Sequence, residues 1–156
     1  MRKIRGFWAA VAGLFLSFGM IMISGSPAQA APSPIRLYRI YYNSPGPDHG
    51  GNASLNEEYV ELHNTATSSI KLTGWKLHDA GQKHTYTFGT YTIKPHGYVL
   101  IHTGKGSETP SQLYWGLSWY VWNNTGDTAT LKDRHNDVID RCSYSDPREI
   151  HNSTSC

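Results

Sequence analysis

Apolar and polar residues alternate along most of the chain between residues 35 and 144. In the clearest segment, EEYVELHN at 57–64, Val60 and Leu62 share one predicted face with Glu58, because neighbouring side chains on a strand point to opposite faces. Gly, Asn and Pro separate the alternating segments, and no segment shows a sustained helical period. The pattern predicts an all-β protein, a sandwich of short strands rather than a parallel α/β fold.

The alternating segments define one domain, residues 35–145, followed by a C-terminal tail at 146–156. Its predicted strands are residues 35–42, 57–64, 68–72, 74–79, 84–88, 91–94, 97–103, 127–133 and 137–144. Residues 43–55 are rich in Gly, Pro and Asn and are predicted to form a long loop, which in a compact domain is either functional or mobile. The tail shows no strand pattern, so Cys156 alone is expected to hold it.

The first thirty residues (1–30) have the three parts of a secretory signal peptide. Basic residues precede an apolar stretch at 7–23, and AQA at 28–30 supplies the small residues before a cleavage site. The apolar stretch approaches the ~18 residues that span a bilayer, so an uncleaved membrane anchor is the alternative. Cleavage is favoured, and it predicts a secreted protein without membrane contact whose residues 31–34 form a short linker.

Cleavage changes the charge of the protein. Without the three basic residues of the signal, 11 of the 14 Lys and Arg residues remain against 12 Asp and Glu residues, for a net charge of −1. A near-neutral domain lacks the basic surface that non-specific nucleic-acid binding requires. No nucleic-acid partner is therefore expected.

Cys142 and Cys156 are the only cysteines in the chain. In an oxidising extracellular compartment such a pair usually forms a disulfide. The bridge would close a short loop and stabilise the fold by about 3 kcal/mol in the chain-entropy estimate. Metal binding is the weaker alternative, because structural zinc sites add two further ligands at tight spacing.

The aromatic block LYWGLSWYVWNN at 113–124 is the strongest candidate for a binding surface. Trp115, Trp119 and Tyr120 have no assigned place in a core. Exposed aromatic rings on a β-sandwich stack on sugars or on a partner protein. Burial of these residues is the alternative, because aromatic side chains also dominate sandwich cores.

The histidines and aspartates do not form a recognised metal motif. None of the eight histidines is part of H-x-x-x-H or H-E-x-x-H, and only a meeting of His63, His78 and His102 across a sheet would suit Zn²⁺ or Cu²⁺. The aspartates lack the D-x-[DN]-x-[DN]-G loop of a Ca²⁺ site. Asp127 is instead predicted to cap a turn through its own side chain. No metal and no cofactor are expected.

The sequence does not indicate catalysis. Glu57 and Glu58 are predicted to point to opposite faces of a strand, so they cannot share a proton as a catalytic dyad does. Glu58 is expected to be structural and to accept hydrogen bonds from loop amides. The chain has no G-x-S-x-G motif and no phosphate-binding loop. The chain is therefore not expected to be an enzyme.

Five motifs occur in a fixed order along the predicted sandwich: NEEYVEL at 56–62, LTGWKL at 72–77, Tyr86 with Phe88, the strand that ends in T-G-x-G at 100–106, and VWNNTGD at 121–127. In this order they resemble the lamin tail domain family, over residues 35 to about 144. The resemblance implies an immunoglobulin-like β-sandwich in which Trp122 is internal. Trp75 is likewise expected to point inward.

The resemblance also implies a role in binding, adhesion or tethering. The chain has no coiled-coil heptads and no prenylation box, so it resembles the secreted bacterial members of the family rather than lamins. The leading hypothesis is a secreted, non-catalytic binding module for an unknown protein or a cell-envelope glycan. A carbohydrate-binding module that uses the aromatic block is one alternative, and a metal-dependent hydrolase is the other.

Overall fold

The computed structural model describes residues 32–156, so the predicted signal peptide lies outside the described residues. Within them the elements are β1 (Ile35–Tyr41), α1 (Asn52–Glu57), β2 (Tyr59–Asn64), β3 (Ile70–Lys71), β4 (Lys76–His78), β5 (Thr85–Thr87), β6 (Thr92–Ile93), β7 (Tyr98–His102), β8 (Gln112–Tyr114), β9 (Gly126–Lys132), β10 (Val138–Ser145) and β11 (Ser153–Ser155). A single turn of 3-10 helix occupies Ala80–Gln82. No helix in this part of the chain is both long enough and apolar enough to cross a membrane.

Most of the strands belong to two sheets. The first has the strand order β11-β1-β2-β7-β8, and all its pairs are antiparallel except β7 with β8. The second has the order β10-β9-β4-β5 and is antiparallel throughout. Strands β3 and β6 form a separate two-stranded pair. The fold is the immunoglobulin-like β-sandwich that the alternating pattern predicted.

One core is built from the inward faces of both sheets. Every second residue of β2 and of β9 is buried, as alternation along a strand requires. Val60 and Leu62 from the first sheet and Leu77 and Leu131 from the second are all fully buried in the same cluster. Burial of apolar side chains of this size contributes roughly 1.5–3 kcal/mol each.

The structure corrects the prediction of an uninterrupted loop at 43–55. Helix α1 begins at Asn52, and Leu55 is its buried residue. A helix of six residues is too short to show a 3.6-residue period in the sequence, and tertiary contacts rather than intrinsic propensity stabilise a helix of this length. The following strand starts at Tyr59, two residues later than the alternation predicted.

The C-terminal tail is held by more than its cysteine. Strand β11 pairs with β1, and the backbone N–H of Cys156 donates a hydrogen bond to the carbonyl oxygen of Tyr38 at 3.0 Å. The Cys142–Cys156 disulfide is present. It connects β10, at the edge of one sheet, to the end of β11, at the edge of the other, and so joins the two sheets covalently along one side.

Candidate functional site

Residues 115–125, here called the crossing loop, connect β8 of one sheet to β9 of the other without regular secondary structure. Backbone hydrogen bonds attach its beginning to the end of β7. The N–H of Trp115 donates to the carbonyl of His102 at 2.8 Å, and the N–H of Leu117 donates to that of Thr103 at 3.0 Å. The loop thus starts from a fixed position at one end of the sandwich.

The carboxylate of Glu58 holds the middle of the crossing loop. Glu58 is fully buried. It accepts hydrogen bonds from the hydroxyl of Thr103 at 2.6 Å, from the N–H of Val121 at 2.8 Å and from the N–H of Trp122 at 3.3 Å. Each donor belongs to a segment distant from Glu58 in sequence. The side chain therefore joins the junction of α1 and β2 to the loop, and it does so inside the protein.

Burial raises the pKa of Glu58 to about 7, although the hydrogen bonds from Thr103, Val121 and Trp122 oppose the shift. A raised carboxyl pKa often marks a general acid in an active site. Here the group is fully buried, and its hydrogen bonds are made to Thr103 and to the crossing loop. Its role in the structure is to position the crossing loop.

Three of the tryptophans pack against the core. Trp122 is 1% exposed, and the ring of Trp115 lies 6.2 Å from it and 5.8 Å from Tyr86, in edge-to-face contacts. Trp75 is half-buried against the same core. Trp115 is likewise half-buried, and its ring packs beside Trp122, so it offers less open surface for a partner than a fully exposed ring; its binding role stays a prediction.

Trp119 is the exposed aromatic residue of the crossing loop, with 62% of its surface accessible. Its ring lies against the backbone of Gly50. A Cβ atom at Gly50 would come within 2.7 Å of Trp119 Cζ3, and Gly50 also has φ of +72°, a conformation that side chains disfavour. Both features favour glycine at this position. The indole is therefore exposed to solvent but supported by a neighbouring loop.

Tyr120 supports the loop rather than extending the exposed surface. Its ring meets that of Trp119 edge-to-face with 5.7 Å between centroids. Its hydroxyl forms a 2.7 Å hydrogen bond with Ser54 Oγ on α1. The residue is half-buried. The binding role of Tyr120 stays a prediction, and its hydroxyl is already hydrogen-bonded within the protein.

A cleft of about 430 Å³ lies beside Trp119. Its walls come from the crossing loop, from the turn at 79–84, and from Asp48 and Glu149. Ligand sites have volumes of roughly 300–1,000 Å³, so the cleft is large enough for a small ligand or for one unit of a polymer. The lining is mainly polar, with Trp119 as its large exposed aromatic surface.

Carboxylates with backbone partners fix the shape of the cleft. Asp79 accepts hydrogen bonds from the N–H of His84 and from its ring Nδ1, both at 2.8 Å. Asp127 accepts from the N–H of Ala80 at 2.9 Å and from the side-chain amide of Asn123 at 2.8 Å. Asp127 thus ties the turn at 79–84 to the crossing loop, and it also accepts from the N–H of Thr128, as a turn cap does.

The candidate metal ligands named from the sequence do not meet. His63 and His102 belong to the five-stranded sheet, whereas His78 belongs to the four-stranded sheet. Among residues 32–156, no three His, Cys, Asp or Glu side chains are placed to hold a metal ion. Asp133 caps its own hairpin by accepting from the N–H groups of His135 and Asp137.

The outer face of the five-stranded sheet carries tyrosines, together with His63, that no sequence motif indicated. His63 and Tyr98 stack with centroids 4.1 Å apart, and Tyr38 meets Tyr98 edge-to-face at 5.0 Å. A second group at the other end of the strands contains Tyr41 and Tyr59, stacked at 5.4 Å. These rings are directed toward one another, as cross-strand pairs that stabilise a sheet are.

Sequence reasoning also missed most of the cleft. Asp48 lies in a Gly- and Pro-rich loop, and the N–H group of the Asn124 side chain donates to it across 76 positions at 3.3 Å. In the sequence, His84 is one of eight scattered histidines. No local pattern in the chain links these residues, because the cleft exists only after the two sheets have packed.

The match to a family model agrees with this architecture. A model described as the Lamin Tail Domain matches residues 28–146 of the chain, which is more than half of its 156 residues. No curated protein matches the chain.

Proposed function

Because the chain belongs to the Lamin Tail Domain family, whose domain is a non-enzymatic immunoglobulin-like fold, we propose that it is a secreted, non-catalytic binding module. Its contact surface is the cleft beside Trp119. The partner is a protein or a glycan of the cell envelope. Trp119 carries the proposal, because an aromatic ring that is both solvent-exposed and held in place is typical of a binding residue.

The contrast among the tryptophans supports this assignment. Trp75, Trp115 and Trp122 pack on the core, where burial of their apolar surface stabilises the fold. Trp119 is 62% exposed and gains little from that effect. Gly50 nevertheless leaves room for its ring. A side chain kept in a fixed exposed position is preorganised, which lowers the entropy lost on binding.

The hydrogen bonding of the polar groups supports a non-catalytic role. Both oxygen atoms of Asp79 are engaged by His84, and Asp127 accepts hydrogen bonds from neighbouring amides. Groups with these partners stabilise loops. Glu58, whose pKa burial raises to about 7, is fully buried and hydrogen-bonded to the crossing loop. The positions of these carboxylates are therefore explained by the hydrogen bonds that they accept within the protein.

Secretion is supported by the signal-peptide pattern in residues 1–30. The disulfide between Cys142 and Cys156 is consistent with an oxidising compartment. A secreted domain of near-neutral charge has access to partners on the outside of the cell. A secreted protein meets the proteins and glycans of the cell envelope, and these are the proposed classes of partner.

The test is capture of envelope material by immobilised secreted protein. We expect Trp119→Ala to lose most of the bound material, because truncation removes the exposed ring and only a few residues usually dominate a contact surface. Tyr98→Ala is the matched control, since Tyr98 is 40% exposed on β7, away from the cleft lining. Equal capture by wild type and Trp119→Ala, with both proteins folded, would contradict the proposal.

A further inference from the structure

We infer that the cleft beside Trp119 binds a neutral saccharide, with the indole ring packed against the apolar face of one sugar unit. The inference rests on the proposed function, because it names the ligand class for the same cleft. It follows from three features of the cleft: one supported aromatic ring, paired donors and acceptors beside it, and an acidic rather than basic lining.

The indole ring of Trp119 is close to Gly50 and otherwise largely open to solvent. A Cβ atom added at Gly50 would come within 2.7 Å of Cζ3 and 2.9 Å of Cε3 of Trp119, so the glycine leaves the space that this part of the ring occupies, and most of the residue's surface remains accessible to solvent. A flat ligand surface of C–H groups matches such a ring, and a pyranose presents C–H groups on its face and hydroxyls around its rim. The planar ring keeps its orientation at low conformational cost, since only two side-chain torsions have to be fixed.

Polar groups beside the ring match hydroxyls. In the cleft lining, the side-chain amide of Asn124 lies 3.3 Å from the carboxylate of Asp48, and both residues remain near the surface. A carboxylate accepts hydrogen bonds only, whereas an amide both donates and accepts. A sugar hydroxyl also donates and accepts, so adjacent hydroxyls on one ring can bond to both side chains. An apolar ligand would leave these groups desolvated without partners.

The charges in the cleft disfavour an anionic ligand. Asp48, Asp79 and Glu149 line it together with Lys83 and His84, and no arginine is among the lining residues. Phosphate and carboxylate ligands are usually recognised by arginine or by clustered cations. An acidic lining would repel them. Nucleotides, phosphorylated lipids and uronic acids are therefore poor candidates.

A cationic ligand fits less well than a neutral one. Recognition of an ammonium group by an open aromatic face contributes only about 0.5–1 kcal/mol when the site is exposed, and Trp119 is exposed. Asp79, the most buried acid of the cleft, already has both oxygens engaged by His84. These facts favour a ligand that uses the ring face and hydroxyl hydrogen bonds rather than charge.

The test is calorimetric titration of the secreted protein with soluble neutral oligosaccharides of glucose, xylose, mannose and N-acetylglucosamine. We expect at least one series to bind. Trp119→Ala should weaken that binding about tenfold or more, whereas Trp119→Phe should stay within about threefold of wild type, because it keeps an aromatic face. Gly50→Ala should also weaken binding, since its Cβ displaces the ring. The control Tyr98→Ala should bind like wild type.

Salt and charged probes distinguish the ligand classes. The affinity for a neutral sugar should be unchanged between about 0.05 and 0.5 M NaCl, because screening acts on charges. Binding of tetramethylammonium or of a lysine-rich peptide in place of every sugar, with loss at high salt, would overturn the inference. So would sugar binding that is equal in wild type and Trp119→Ala.

Failure of the saccharide inference can be distinguished from failure of the proposed function. If no oligosaccharide binds but capture of envelope protein still depends on Trp119, the ligand class is wrong and the binding module stands. If capture does not depend on Trp119, the proposed function itself fails. Protease treatment of the envelope material before capture separates a protein partner from a glycan partner, because a glycan ligand survives the protease.

Discussion

Glu58 is a buried carboxylate that accepts three hydrogen bonds, none of them from a cationic group. Ionisation of a buried group without a counter-ion is unfavourable, and its hydrogen bonds offset only part of that cost. The pKa of Glu58 is therefore raised from 4.5 to about 7. A raised folded-state pKa means that the folded protein binds a proton more tightly than the unfolded chain does.

We expect this residue to make the protein less stable as the pH rises. The contribution of Glu58 is fully present below pH 4.5 and is lost as the pH rises through about 7, because the unfolded chain ionises first. The shift corresponds to roughly 3 kcal/mol in the free energy of unfolding. Urea unfolding of wild type and of Glu58→Gln, at steps of about one pH unit between roughly pH 5 and pH 8, measures the difference in their free energies of unfolding. We expect this difference to change with pH as Glu58 ionises.

The comparison of the two proteins isolates Glu58. The pKa of His78 is lowered, first by burial and then by Lys132 and Lys76. A lowered histidine pKa makes the folded protein more stable as the pH rises, which is opposite to the effect of Glu58. His78 is present in both proteins, so its contribution cancels in the difference. Parallel pH profiles for wild type and Glu58→Gln would show that Glu58 has an unshifted pKa.

At the scale of elements, β11 is an edge strand fastened in two ways. It pairs with β1 through backbone hydrogen bonds, and the disulfide joins Cys156 to Cys142 on β10, with a sequence separation of 14. Asp146 adds a local constraint by accepting hydrogen bonds from the N–H groups of Ile150 and His151. The tail is thus an integral part of the five-stranded sheet.

Removal of the disulfide should loosen this edge before it affects the rest of the sandwich. For a loop of this size the chain-entropy estimate is a loss of about 3 kcal/mol. In the double variant Cys142→Ser/Cys156→Ser, amide hydrogen exchange in residues 152–156 should become faster while exchange in β2 and β7 changes least, because edge strands open locally. Faster exchange throughout both sheets, with the tail unaffected, would contradict this expectation.

At the scale of the whole molecule, the crossing loop contributes to the core as well as to the surface. Trp122 lies inside the sandwich with 1% exposure, while Trp119, three residues earlier, is 62% exposed. One loop therefore serves both stability and the proposed contact surface. The Glu58 hydrogen bonds to Val121 and Trp122 fix the boundary between these two parts.

The tryptophan variants should separate the two parts. Trp122→Ala should lower the free energy of unfolding by about 3–5 kcal/mol, the usual effect of deleting a buried aromatic side chain, and that is a large share of a domain's stability. Trp119→Ala should lower it by less than about 1 kcal/mol, and the half-buried Trp75 should give a value in between. Chemical denaturation of the three variants measures this order. A loss at Trp119 as large as that at Trp122 would place its ring in the core.

The sequence alone determined the fold class. Alternation in segments such as 57–64 predicted β2, and the buried side of that strand, with Glu58, Val60 and Leu62, is the side that the pattern indicated. The motifs from 56 to 127 indicated the family. Two cysteines after the signal pattern allowed one disulfide. These properties are readable because the period of a strand, the order of motifs and the number of cysteines are local features of the chain.

Only the tertiary structure decided which residues form the cleft. Trp115 and Trp119 look alike in the sequence, yet one packs beside Trp122 and the other lies against Gly50. Asp48 and Asn124 meet only because a loop from the start of the domain reaches the crossing loop. The pairing of β11 with β1 likewise joins the first and the last strand of the described residues. Burial and contact depend on neighbours that arrive from distant segments, and alternation within a segment carries no information about them.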